Sequence, residues 1–223
     1  MHTKTTDRAI RIFLVDDHPI VRQGLTELIT PEGDLCVCGE AEDVAGALAL
    51  LPDSQADMVI ADISLRDSNG IELIKDIKLR YPRMPILVLS MHDESFYVER
   101  CLRAGAMGYI TKEEATDGVI AAIRKVLSGE IYLSEKMASK VLTKLVGGQS
   151  GPGGLSVDTL TDRELQVFEM IGVGISTRII ADKLHLSAKT VESHRENIKR
   201  KLQLGSAAEL LQHAIQWCQT QGG

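Results

Sequence analysis

What the chain lacks narrows it first. No apolar run approaches the roughly 18–20 residues that span a bilayer. The opening, MHTKTTDRAIRIFLVDD, is charged and polar ahead of a five-residue apolar run, which fits neither a signal peptide nor a membrane anchor. Cysteine is scarce: Cys36, Cys38, Cys101 and Cys218, with no Cys-x-x-Cys pair. That argues against a disulfide framework or a zinc site and for buried, reduced thiols, Cys36 and Cys38 sharing one strand face. A cytoplasmic chain is expected. With 44% apolar and 25% charged residues the balance is ordinary for a globular protein, which disfavours the disordered and low-complexity classes. At 223 residues it is too long for one small domain and comfortable for two.

Charge separates the two parts. Residues 1–127 hold 14 basic against 21 acidic side chains, whereas residues 155–223 hold 8 of each. An acidic first part and a neutral second part suggest different jobs, and the overall charge of −6 argues only weakly against nucleic acid, since binding depends on a local patch. The clearest seam is GGQSGPGG at 147–154, a linker composition. Before it, apolar runs at 11–15, 35–39, 57–61, 85–90 and 107–111 read as strands, and 19–29, 43–51, 70–80, 93–104 and 115–127 show helical spacing. Runs buried on both faces and separated by helices predict an α/β fold, a (βα)5 doubly wound parallel sheet. Residues 134–146 predict a connector helix.

After the seam the pattern is all-α. Four helices are predicted at 161–173, 176–184, 188–202 and 206–219, with Ser187 as an N-cap, Thr161 and Glu164 as a capping box and Gly205 as a stop. The middle two form a helix-turn-helix arrangement.

Open parallel sheets bind ligands at the carboxyl ends of their strands. Asp16 and Asp17 follow the first strand, Asp62 the third, Ser90 ends the fourth and Lys112 follows the fifth. Three carboxylates this close repel one another unless a cation neutralises them, and all-oxygen ligation suits Mg²⁺. With a lysine to balance further negative charge and a serine hydroxyl to donate, the set suits a phosphoryl group carried on Asp62 as nucleophile. Tyr109, taken alone, reads as half-buried strand packing.

VDDHP (15–19), VIADISLRDSNG (59–70), ILVLS (86–90) and AGAMGYITK (104–112) resemble the receiver domain of two-component response regulators. The run at 160–202 is similar to the LuxR-type DNA-binding domain, and together the two resemble the NarL/FixJ family over nearly the whole chain. The resemblance implies a receiver over 8–128, a connector helix and glycine-rich linker over 129–154, and a four-helix helix-turn-helix domain over 155–223. It implies Asp62 as phosphoacceptor, and Mg²⁺ among Asp17, the Ser64 carbonyl and, through water, Asp16. It also implies Ser90 and Tyr109 as switch residues, Lys112 as phosphate partner, a sensor histidine kinase as donor, and a homodimer in the active state. RNA polymerase is a further partner it allows. On phosphorylation, Ser90 is expected to swing toward the phosphoryl group and leave room for the Tyr109 ring to turn inward. The chain departs from the family at Arg66 (usually proline), Ser90 (commonly threonine), Glu113 (often proline), Thr177 (asparagine) and Ile179 (glutamate).

In the helix at 188–202, Val191, Ile198 and Leu202, helped by His194 or Arg195, fall at core spacing. Between 188 and 203 five basic residues face two acids, a local excess suited to phosphates. Lys189, Arg195, Lys199, Arg200 and Lys201 are the expected phosphate positioners, and Glu192, Ser193, Glu196 and Asn197 the candidates for base edges in promoter DNA. Thr190 lies on the same face, and the motif spans Ser176 to Arg195. In the helix at 206–219, Leu210, Leu211, Ala214 and Ile215 supply the expected self-contact, while Trp217 caps the small core. Such a pair should bind an inverted or direct repeat. Against this stand a phosphohydrolase with an aspartyl nucleophile, a DNA-binding chain whose phosphorylation is dispensable, and a pure interaction module. The first is disfavoured because Ser64 stands where such enzymes carry a second acid, so only slow autodephosphorylation is expected.

Overall fold

The computed structural model describes residues 8–65, 69–91, 95–147, 157–184 and 186–221. Arg66, most of the glycine-rich linker, and His185 in the predicted helix-turn-helix turn lie outside them, as do the first two residues of the helix expected at 93–104. Two compact units emerge, Met1–Leu142 and Thr143–Gly223.

The first unit alternates strand and helix: β1 (Ile10–Val15), α1 (Pro19–Ile29), β2 (Leu35–Ala41), α2 (Val44–Ser54), β3 (Met58–Asp62), α3 (Gly70–Arg80), β4 (Ile86–Ser90), α4 (Ser95–Ala104), β5 (Gly108–Thr111) and α5 (Lys112–Leu127); α6 (Glu135–Gly147) begins in this unit and runs past its boundary at Leu142. The strands are parallel in the order β2-β1-β3-β4-β5. Helices cover both faces, so β3, β4 and β5 are buried throughout, as their unbroken apolar runs require. The order reverses between β1 and β3, and that crevice at the carboxyl ends is where such sheets take ligands.

Local chemistry explains where the helices begin. Pro19 at the first position of α1 gives up an N–H that would have no helical partner. Asn69 caps α3, its side chain accepting from the Ile71 N–H at 2.8 Å. α5 starts three residues earlier than its apolar spacing suggests, because Thr111 and Glu114 form a capping box. α2 runs past its expected end, through Pro52 to Ser54, and stops at Gln55 in the left-handed region. The alternation expected of Cys36 and Cys38 fails: Ile12 pairs with Val37 and Phe13 with Gly39, so Cys38 falls in a bulge. None of the four cysteines forms a disulfide; Cys101 is fully buried and the others partly so.

The second unit contains α7 (Asp162–Gly172), α8 (Thr177–Lys183), α9 (Ala188–Lys201) and α10 (Ala207–Gln221). Its core joins Leu165, Phe168, Ile171, Ile180, Val191, Ile198 and Leu202. Trp217 stands edge-on to Phe168, with ring centroids 5.8 Å apart. Leu210 and Ala214 are also buried, so they belong to this core and not to an outward face; Leu211 and Ile215 remain exposed. The turn that closes α9 is made by Gln203 in the left-handed region, two residues past its end, with the Leu204 N–H donating to the Lys199 carbonyl, and not by Gly205.

Candidate phosphoacceptor site and nucleic-acid interface

Asp62 is the last residue of β3 and is 1% exposed. Its Oδ1 accepts from the Ser64 N–H at 2.9 Å, and its Oδ2 accepts from Lys112 Nζ at 2.8 Å. Lys112 also lies 2.7 Å from Asp16 Oδ2, so one ammonium bridges carboxylates from the ends of β1 and β3. The capping box that opens α5 places Lys112 as its first residue. Gly70, the first residue of α3, completes the seat: a Cβ there would lie 2.1 Å from the Asp62 carbonyl oxygen. Only glycine lets α3 start so close to the phosphoacceptor backbone.

Burial pushes the Asp62 carboxyl above its ordinary value, and the Lys112 charge opposes but does not overcome this. Burial alone would lower Lys112, yet the Asp62 and Asp16 carboxylates hold it above the usual lysine range. Three acids against one lysine leave an anionic pocket. Ligand atoms of Asp16, Asp17, His18 and Asp62 lie within 4.8 Å of one another, a largely oxygen donor set that fits a hard divalent cation. His18 was not foreseen. Its N–H donates to Asp16 Oδ1 at 2.8 Å, and its Nδ1 sits 2.8 Å from Asp17 Oδ1. The contiguous Asp-Asp-His run was the available signal.

Ser90 ends β4, the strand paired with β3, and Tyr109 lies on β5, one strand further out; both are fully buried. Tyr109 is 1% exposed, more deeply buried than half-buried strand packing requires.

In the second unit, Ser187 caps α9 by accepting from the Thr190 N–H at 3.0 Å, and the two hydroxyls lie 2.8 Å apart. Lys189, Glu192, Ser193, Glu196 and Arg200 are exposed, while Arg195, Asn197, Lys199 and Lys201 are half-buried. Several of these are engaged within the unit. Thr177 Oγ1 donates to Glu192 Oε1 at 2.8 Å, and Arg195 lies 3.6 Å from the other carboxylate oxygen. Lys199 pairs with Glu196 at 2.8 Å, and Arg200 donates to Asn197 Oδ1 at 3.0 Å. Lys201 bonds the buried Glu164 of the α7 capping box at 2.5 Å, an ion pair that joins α9 to α7.

Residues 12–124 match the family model described as "Response regulator receiver domain", and residues 158–214 match "Bacterial regulatory proteins, luxR family". The chain is 39% identical to the transcriptional regulatory protein UhpA of Salmonella typhimurium, over 90% of this chain and 95% of that one. It is 36% identical to the transcriptional activator protein ExaE of Pseudomonas putida, over 92% and 95%. Among solved structures it is similar to RcsB from Salmonella enterica serovar Typhimurium, bound to promoter P1flhDC in the presence of a phosphomimetic. The TM-score is 0.63 at 28% identity, covering 93% of this chain and 98% of that one.

A doubly wound sheet with an acidic switch point, followed by a helix-turn-helix unit, defines a phosphorylation-dependent, DNA-binding transcriptional regulator, not a conventional enzyme. The chain belongs to the two-component response regulators, in the branch with LuxR-type output. No helix among the described residues is long and apolar enough to cross a membrane.

Proposed function

We propose that Asp62 accepts a phosphoryl group from a sensor histidine kinase or a small phosphodonor. The observation that carries this is the Lys112 bridge between Asp16 and Asp62 at the sheet's switch point. An Asp62 carboxylate oxygen forms the new O–P bond as the donor's P–N or P–O bond breaks, and the leaving group takes the electron pair. Asp17, Asp62 and the Ser64 carbonyl, with Asp16 through water, would hold Mg²⁺, which neutralises charge on the phosphoryl oxygens. Lys112 orients and balances the same oxygens, and Ser90 donates to them. Ser64 offers no second acid to activate water, so autodephosphorylation is slow and serves as an off-timer.

The output is read by α9 on promoter DNA as a cytoplasmic homodimer on repeated sites, with RNA polymerase as the downstream partner. Receiver, connector and output occupy 8–128, 129–154 and 155–223. The exposed Leu211 and Ile215 on α10 support self-association. Acetyl phosphate with Mg²⁺ should label the wild-type chain stoichiometrically. Asp62→Asn, or chelation of the metal, should abolish the label; a mutant that still labels refutes the assignment.

A further inference from the structure

β5 would be the free edge of the sheet, but the chain returns to cover it. The Tyr132 N–H donates to the Met107 carbonyl at 3.0 Å, and the Tyr109 N–H donates to the Tyr132 carbonyl at 2.9 Å. This single parallel bridge ties the start of the connector to the backbone of a switch residue. The Tyr132 side chain packs on the receiver core in a seat made by two glycines. A Cβ at Gly118 would lie 3.3 Å from the Tyr132 hydroxyl, and one at Gly108 would lie 3.2 Å from the Tyr132 Cβ. Past this anchor, α6 begins with Met137 only 4% exposed.

Ser134, Lys136 and Met137 form one wall of a cavity of about 270 Å³, whose other walls are Met91, Thr111, Lys112, Glu113 and Glu114. Lys112, the phosphate partner, and Met91, the chain neighbour of Ser90, both line this space, so it borders one group drawn toward a phosphoryl group on Asp62 and adjoins the other along the chain. A shift at either changes the shape of the surface on which α6 begins, and the cavity gives that shift room to occur.

We propose that Tyr132 is a positioning residue for the phosphorylation switch. It keys the connector to β5, so that rearrangement around Ser90, Tyr109 and Lys112 is passed to α6 and from there to the output unit. This rests on the reading that phosphorylation of Asp62 governs DNA affinity. The competing account is that Tyr132 only covers an edge. In that case its loss lowers stability and leaves the coupling intact.

The test uses the full chain as Tyr132→Ala, Tyr132→Phe, Gly118→Val and Met137→Ala, each assayed for labelling by acetyl phosphate and for DNA affinity with and without label. Labelling should be unchanged in all four. Allosteric coupling of the usual size is roughly 5–150-fold; the ratio of labelled to unlabelled affinity should fall toward 1 in Tyr132→Ala and Gly118→Val. It should survive in Tyr132→Phe, which keeps the ring. If the Ala and Val variants fold, label and keep the wild-type ratio, the proposal is overturned. Should either fail to fold, Met137→Ala, which leaves the sheet edge intact, decides in the same way. A wild-type chain whose affinity ignores the label overturns the underlying reading, and this one with it.

Discussion

Asp62 is held by two opposed influences, and the balance between them is measurable. Its carboxyl must be ionised to attack phosphorus, and burial raises it above the ordinary aspartate range. The labelling rate should therefore fall as pH drops through the midpoint of that carboxyl. Lys112→Ala removes the charge that opposes burial, so the midpoint should rise further; a pH profile of initial labelling rates reads both. Ser90→Ala should label normally yet show a smaller gain in DNA affinity, and an unaltered gain would exclude the hydroxyl from the route. Tyr109 is less useful to mutate, because truncating a buried aromatic costs about 3–5 kcal/mol on its own.

At the scale of elements, the ion pair between α9 and α7 changes what Lys201 does. Burial raises the Glu164 carboxyl, but the Lys201 ammonium and the Thr161 backbone and hydroxyl lower it more, and it ends below its usual value of 4.5. A depressed carboxyl contributes stability that is present above the unfolded value and is lost as pH falls through the folded one, so the output unit should weaken on acidification below about 4.5. Lys201→Ala should destabilise it by about 2 kcal/mol, less than the ~3–5 of a fully buried pair because Lys201 is partly exposed. Thermal unfolding of the variant reads this. Lys189→Ala should instead leave stability intact and flatten the salt dependence of binding by roughly one phosphate contact.

These elements also mark what the sequence made legible. α1 and α3 matched their apolar spacing end to end, because proline and asparagine start signals agreed with the pattern. The acidic cluster was legible because each member ends or follows a strand. The pairings inside α9 were not, since an outward charge and a charge turned toward α7 share the same spacing rule. The bulge at Cys38 and the left-handed Gln203 were hidden too: the first is imposed by the pairing of β2 with β1, and the second closes α9 on a residue type with no preference for that conformation.

In the whole molecule, net negative charge lies in the receiver and the local basic excess lies on α9. This arrangement keeps nonspecific attraction to DNA low. Footprinting on a half-site and on a full site about one helical turn longer should show much tighter binding to the pair. One protein per DNA, with equal affinity for both, would exclude the dimer. Leu211→Glu should erase the advantage of the full site while sparing half-site binding, since Leu211 is 41% exposed and outside the core.

The Tyr132 bridge bears on solubility as well as on signalling. A receiver fragment cut at residue 128 would leave the backbone of β5 unpaired along a short, apolar strand, the kind of open margin that templates pairing with another chain. One extended to residue 142 keeps that margin closed by its own sequence. The shorter fragment should therefore self-associate on concentration where the longer one stays monodisperse, which light scattering on the two would show.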